Sequence, residues 1–343
     1  MPLKLRPLVP ASEPAWDAFV DAMPTGTFFH RAAWRRLIAE EFGHRTFYTY
    51  AERDGAIVGV LPLVQMKTML FGNALTSLPF CVYGGPLAAD AETADALSDY
   101  AAGLLPETGA SAVELRHRDP VASDWTERPD LYVTFRKPIV ADNDANMKAI
   151  PRKQRAMVRK GIQNGLSSVV EYDATRLHRI YAESVRNLGT PVFSRRWFMS
   201  LMHRFRDCAD IVTIVDGDTA VASVMNFYFR DEVLPYYGGG TSAARQVAGN
   251  DFMYWETMRR AADRGYRLFD FGRSKLGTGA MAFKKNWGFT PAPMHYRFRL
   301  APGQSIPDNN PLNPKFALFI AAWKRLPIPL ANLIGPHIVR GLG

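Results

Sequence analysis

The two halves of the chain present the same succession of secondary-structure signals. In the first half, β-rich runs over residues 46–52 and 56–65 flank Asp54-Gly55, a pair suited to a hairpin turn. A third run over 75–83 ends at Gly84-Gly85-Pro86, and a helix over 91–105 leads into a strand over 112–116. In the second half, strands over 211–215 and 219–229 flank Asp216-Gly217-Asp218. A strand over 232–237 then runs into Gly238-Gly239-Gly240, and a helix over 251–264 precedes a strand over 267–271. Local sequence supports the match: Val82-Tyr83-Gly84-Gly85 faces Tyr236-Tyr237-Gly238-Gly239, and Val113-Glu114-Leu115-Arg116 faces Phe269-Asp270-Phe271-Gly272. Helices over 14–23, 31–41 and 177–188, with a basic helical stretch over 148–160, complete the pattern.

Strands that alternate with helices after a run of hairpins predict an α/β fold, with a mixed sheet covered by helices in each half. Chance similarity between two α/β units is the alternative to a duplication. A length of 343 residues suits two domains. They are placed at 1–140 and at 141–305, the second carrying the candidate site, with an amphipathic helical tail over 306–343. The net charge of +9 favours anionic partners: nucleotides, phosphorylated cofactors, tRNA or anionic lipid. Cys81 and Cys208 form no CxxC pair and no Cys/His cluster, so neither a disulfide framework nor a metal site is expected. No GxSxG elbow, P-loop, HExxH or dinucleotide GxGxxG supports a serine hydrolase, an NTPase, a zinc protease or an NAD enzyme.

The densest set of chemically useful residues is Asp270-Phe271-Gly272-Arg273-Ser274, Gly277-Thr278-Gly279 and Phe283-Lys284-Lys285-Asn286-Trp287-Gly288-Phe289. Read as a strand end and a glycine-rich loop, it can gather backbone amides and a lysine around developing negative charge, or it is a surface loop with solvated lysines. Arg245 to Asp251 reads as a strand-to-helix loop whose helix end offers amides to a phosphate, with Asn250 or Asp251 alternatively a simple N-cap. Arg152, Arg155 and Arg159 share one face of a helix, either a solvated face or a phosphate- or membrane-facing patch. His30 and Trp34 stand one helical turn apart and could line a substrate pocket with His30 as base, although a hydrogen-bonded core histidine is the plainer reading. Tyr236, Tyr237 and Tyr254 are phenols able to orient a substrate or donate a proton, or core aromatics.

Phe28-Phe29-His30-Arg31-Ala32-Ala33-Trp34, Tyr83-Gly84-Gly85-Pro86, Tyr237-Gly238-Gly239-Gly240, Phe269 to Ser274 and Phe283 to Phe289 together resemble the FemAB-like proteins associated with PEP-CTERM/exosortase systems. The resemblance implies two GNAT-like (acyl-CoA N-acyltransferase) domains in tandem, the fold of the Fem peptidyltransferases. It also implies that Phe283-Lys284 is the Phe-Lys pair that sets a lysine beside the reacting carbonyl. Catalytic candidates are then Lys284, His30, Tyr237, Asp270 and Arg273; substrate-binding candidates are Trp34, Tyr83, Tyr254, Phe283, Trp287, Arg155 and Arg159. Gln246-x-x-Gly249 resembles the start of the GNAT pyrophosphate loop, which makes Gln246, Gly249 and Asn250, with Gly238 and Gly239, cofactor-binding candidates. Asp251 replaces the loop's final small residue. The long helical arm of some Fem proteins is missing, which puts tRNA binding of that style in doubt.

The expected activity is N-acyl transfer from a thioester, acyl-CoA or acyl carrier protein, to a membrane-held amine such as a sphingoid base or an envelope precursor, with no permanently bound cofactor and no metal. Aminoacyl-tRNA-dependent transfer and a non-catalytic GNAT scaffold are the alternatives. The first ten residues lack the apolar core of a signal peptide, and no run reaches the ~20 apolar residues needed to span a bilayer. A cytoplasmic protein, peripheral at the inner face of the cytoplasmic membrane, is therefore expected. Phe316, Phe319, Ile320, Trp323 and Leu326 fall at helical spacing, with Lys315, Lys324 and Arg325 beside them. This tail suits an anionic membrane surface, or packs back on the second domain or on another subunit.

Overall fold

Asp54 and Gly55 both adopt positive φ, at 54° and 79°. That is the type I′ geometry whose twist matches a hairpin, and it joins Thr49–Arg53 to Ala56–Leu61 in antiparallel register. Gly217, at φ 55°, serves the corresponding hairpin of Ala209–Asp216 with Thr219–Phe229. The computed structural model describes residues 2–306 and 317–343, and the chain divides into two compact units.

The second unit is built on a seven-stranded sheet in the order Ser167–Glu171, Ala209–Asp216, Thr219–Phe229, Glu232–Gly240, Leu268–Lys275, Tyr132–Pro138, Pro291–Pro293. The first four strands are antiparallel neighbours. Glu232–Gly240 and Leu268–Lys275 then run parallel, but only Glu232↔Leu268 and Val233↔Phe269 are paired before the ladder stops. The carboxyl halves of these two strands are thus free to accommodate other groups between them. Ligands of α/β sheets favour such a place, outside the carboxyl ends of parallel strands. Helix Gly249–Asp263 buries Phe252, Met253, Trp255 and Met258 in the same core as Phe135, Phe269, Phe271 and Trp287.

The first unit repeats the device. Its six-stranded sheet runs Arg45–Thr46, Leu63–Thr68, Gly72–Ser77, Ala112–His117, His295–Leu300, Thr126–Arg128. Its parallel pair is again held by two register pairs, Leu75↔Val113 and Thr76↔Glu114. A four-stranded sheet, Lys4–Pro7, Thr49–Arg53, Ala56–Leu61 and Leu87–Ala88, completes the unit with helix Ala91–Thr108. The expected duplication is present.

Several expectations change in detail. The run over 75–83 is strand only to Ser77; beyond it Leu78 and Phe80 take positive φ, and the carbonyls of Leu78 and Cys81 accept from buried Arg116, which holds this stretch as a loop. The helix expected over 148–160 divides at Pro151 into Asn143–Ala149 and Arg152–Gln163, because proline has no amide to continue the ladder. The domain limits at 140 and 305 move as well. Tyr132–Pro138 belongs to the sheet of the second unit, while the chain returns to the first unit at 293, where His295–Leu300 pairs with Ala112–His117 along its whole length. In the tail, Ala317–Trp323 and Ile328–Val339 are helices counted with the second unit, and 340–343 return to the first. Phe316 and Lys315 lie outside the described residues.

Candidate active site

Lys284 sits at the point where the parallel pair of the second unit comes apart. The segment expected to be a glycine-rich loop is instead helix Gly279–Asn286, started by Thr278, whose hydroxyl accepts from the amide of Met281 at 3.4 Å. One turn of that helix carries Phe283 and Lys284 back over the end of Leu268–Lys275. The ammonium Nζ of Lys284 donates to the carbonyls of Gly272, 3.1 Å, and Arg273, 2.9 Å. The rings of Phe135 and Phe271 stand 5.4 and 5.8 Å from Nζ. Gly272 has φ 65°, a left-handed conformation that turns the strand end and that side chains other than glycine resist.

Burial pushes the Lys284 amine down to about 7, against the nearby carboxylate of Asp270, which favours the charged form; the Arg273 cation lowers it further. An ammonium has three N–H donors, and two are used on these carbonyls. One remains without a protein partner among the described residues. Asp270 is almost fully buried. It accepts from the amide of Gly272 at 2.7 Å and pairs with Arg136 at 3.3 Å, so it braces the strand end and supplies charge to Lys284 through space. Arg273 offers its carbonyl to Lys284, and the residue is partly buried.

Tyr254 joins the two strands that separate. Its ring packs edge-on against Phe271 at 4.7 Å and lies 5.6 Å from Phe283 and 6.2 Å from Trp287. Its hydroxyl reaches the opposite strand, where a Cβ built on Gly238 would lie 3.3 Å from it. No hydrogen-bond partner holds this hydroxyl among the described residues. Burial and the Asp251 charge push the phenol up to about 12, so it remains a proton donor.

The remaining candidates separate by position. Trp287 is wholly buried and donates to Asp251 Oδ1 at 3.1 Å; it supports the site from beneath. Gln154 donates to the same oxygen. Asp251 therefore faces the core, neither toward an anion nor as an N-cap, and burial raises its pKa. The stretch 245–251 is not a loop. Ser242–Val247 is a short helix, Ala248 takes φ 63°, and Gly249–Asp263 begins at once. Gln246 is exposed, whereas Gly249 is buried against Ala244 and Val221, and Asn250 Oδ1 presses on Gly240. Gly239 is close-packed under Ser184, so a packing requirement accounts for it. Tyr237 is buried among Tyr181, Phe193 and Phe198, and its hydroxyl accepts from Trp197 at 3.2 Å. It is a core residue beside the site.

Arg155 and Arg159 lie on the outer face of helix Arg152–Gln163, whose Gln154, Val158 and Gly161 turn inward; Arg155 donates to the Lys148 carbonyl at 3.2 Å. Neither is brought to Lys284. His30, Trp34 and Tyr83 belong to the first unit. Trp34 is wholly buried against Phe28 and Phe29 and donates to the Phe28 carbonyl, the position of a core residue. His30 Nδ1 accepts from the Thr27 amide at 3.2 Å, which leaves the proton on Nε2 to donate to the Gly85 carbonyl at 2.9 Å. With both nitrogens engaged, it is the hydrogen-bonded core histidine. The first unit does hold a cavity of about 380 Å³ bordered by His30, Tyr83, Gly85, His117 and Arg118. His117, pushed down to about 3 by burial and the nearby Arg297, is an uncharged imidazole there. It was not among the expected residues, though the repeat sets it opposite Arg273. Phe135 and the two carbonyl partners of Lys284 were also missed; backbone acceptors leave no mark in a sequence.

A parallel pair that splays beyond two register pairs, present in each unit, is the arrangement of a GNAT-like fold. Residues 152–285 match the acetyltransferase (GNAT) domain family. Among solved structures, FemX aligns with a TM-score of 0.63 and 14% identity over 85% of this chain and 96% of its own. L-PGS from Bacillus licheniformis aligns with a TM-score of 0.57 and 14% identity over 96% of this chain and 98% of its own. A tandem GNAT protein from the clavulanic acid biosynthesis pathway aligns with a TM-score of 0.55 and 12% identity over 89% and 100%. A search of curated proteins finds no significant match. The second unit carries a GNAT domain, and the chain as a whole shares the fold of these tandem structures.

Proposed function

We propose that the protein is an N-acyltransferase that moves an acyl group from a thioester, acyl-CoA or acyl carrier protein, to the amine of a membrane-associated acceptor such as a sphingoid base or an envelope precursor. The observation that carries this reading is Lys284, a largely desolvated ammonium with one N–H uncommitted, at the open end of the parallel pair. The neutral amine attacks the thioester carbon, and the carbonyl oxygen gains the charge of the tetrahedral intermediate, which the free N–H of Lys284 stabilises. Collapse breaks the C–S bond. The sulfur leaves as thiolate and takes a proton from the Tyr254 hydroxyl, while the attacking nitrogen gives up its proton to solvent or back to Tyr254. The phosphate groups of a coenzyme A or carrier-protein donor suit the start of Gly249–Asp263.

The test is transfer itself, read as amide product by mass spectrometry after incubation with acyl-CoA or acyl carrier protein and a sphingoid amine. Lys284→Ala is expected to lose about 100-fold or more in kcat while keeping a cooperative melt, the usual consequence of removing one oxyanion donor. Wild-type turnover in Lys284→Ala would remove this residue from the mechanism. An aminoacyl-tRNA donor is the second reading, favoured by the exposed Arg152, Lys153, Arg159 and Lys160 on one helix. Turnover with aminoacyl-tRNA and none with thioesters would establish it in place of the first.

A further inference from the structure

The C-terminal helices are both anchored and exposed. On their inner face Trp323 is buried and donates through Nε1 to the Thr190 carbonyl at 3.1 Å; Ile320 covers Gly189, and Ala331, Gly335 and Val339 are buried, Gly335 against the Val192 backbone. On the other face Leu318 is 85% and Leu333 68% exposed, and Phe319, Leu330 and Ile334 are exposed beside them. Among the described residues, five of the sixteen exposed large apolar ones thus fall between 318 and 334. Scattered single apolar residues are ordinary on a monomer surface, but such a concentration is not.

We propose that this outer face docks on an anionic lipid surface. Charge selects the occupant. Lys324 and Arg325 are exposed at the end of the first helix, and residues 317–343 contain no Asp or Glu, so the segment is drawn to anionic headgroups. A second copy would set like charges against each other. Helices of 7 and 12 residues, joined within a few residues and fixed to the domain by one side, lie along an interface. Among the described residues no helix is long and apolar enough to cross a membrane. Packing on the domain and contact with lipid are therefore served by opposite faces of one element.

The experiment is flotation of the full-length protein with vesicles of phosphatidylglycerol in phosphatidylcholine, against phosphatidylcholine alone. The wild type is expected to float with the anionic vesicles. Leu318→Gln with Leu333→Gln, and separately Lys324→Glu with Arg325→Glu, are each expected to lower the partition coefficient by about tenfold or more, because apolar insertion and headgroup attraction both contribute. Melting temperature and turnover on a soluble amine should not change, since these side chains contact little of the protein. Met69→Gln with Leu70→Gln, at an exposed hairpin tip of the first unit, should float as the wild type does. No flotation of the wild type, or equal flotation of the tail variants, would overturn the proposal. So would loss of flotation through Met69 and Leu70, or a dimer that disappears with Leu318→Gln and Leu333→Gln. The readout is binding, so it stands or falls separately from Lys284.

Discussion

A lysine that titrates near neutrality makes the reaction's pH dependence diagnostic. Lys284 is charged below its pKa of about 7 and neutral above it. If it holds the oxyanion, the rate at saturating acceptor, corrected for ionisation of the acceptor amine, must fall as pH rises through about 7. Lys284→Arg, whose guanidinium stays charged, should lose that falling limb even if its rate is lower. A rising limb near pH 7 would instead make Lys284 the base. Stability follows the same ionisation with its own sign. Between pH 7 and the ordinary lysine value the unfolded chain binds a proton at this residue that the folded chain has lost, so stability contributed here rises with pH. Chemical denaturation across that window should show a rise in the wild type that is absent from Lys284→Met. The sequence points to Lys284 through its Phe-Lys resemblance; its burial is not legible there, because the Phe135 ring and the two carbonyls that surround the ammonium are brought to it by the fold, Phe135 from 149 positions away. His30 shows the converse: a histidine in a conspicuous motif proves committed to Thr27 and Gly85, which the sequence cannot pair with it.

Glycine runs are where element-level reading misled most, because a glycine spared for a ligand and a glycine spared for a neighbouring helix look alike in sequence. A Cβ at Gly239 would lie 2.6 Å from Ser184 Cβ and 2.7 Å from its Oγ on helix Thr175–Leu188. Gly239→Ala should therefore destabilise the second unit by about 1–3 kcal/mol through overpacking, measured by urea unfolding. Relief of that loss by Ser184→Gly would show the helix contact to be the cause. Ala248 is the opposite case, an alanine in a left-handed conformation between two helices. Ala248→Gly should stabilise by about 1 kcal/mol in the same assay, since the strain of a Cβ there exceeds the added chain entropy of glycine. Hairpins were read well, since Asp54-Gly55 and Asp216-Gly217 carry their turn chemistry locally. Helix Gly279–Asn286 was not, because Gly277 and Gly279 mask a start that Thr278 caps.

At the scale of the molecule, the tandem fold was legible from the repeat, while the path of the chain was not. Strand pairing over 170 positions has no local signature, so His295–Leu300 read as the end of the second domain when it belongs to the first. The consequence is testable by dissection. A fragment of residues 1–132 would lack the strand that lies between Ala112–His117 and Thr126–Arg128 and that buries Tyr296 and Phe298. Ala112–His117 would become an unpaired edge, a template for aggregation, and Tyr132 would lose the Tyr296 ring packed 5.0 Å away. The fragment would also lack Arg340, whose carbonyl accepts from His44 at 2.7 Å. It should therefore aggregate or melt without a cooperative transition. Joining 293–306 to residue 132 through a flexible Gly/Ser linker should restore a cooperative melt by circular dichroism and dispersed amide resonances, because it returns the strand between Ala112–His117 and Thr126–Arg128 at the small entropic cost of a longer loop. A cooperative melt of 1–132 alone would show that the first unit does not depend on this strand, and that its sheet closes without the return of the chain.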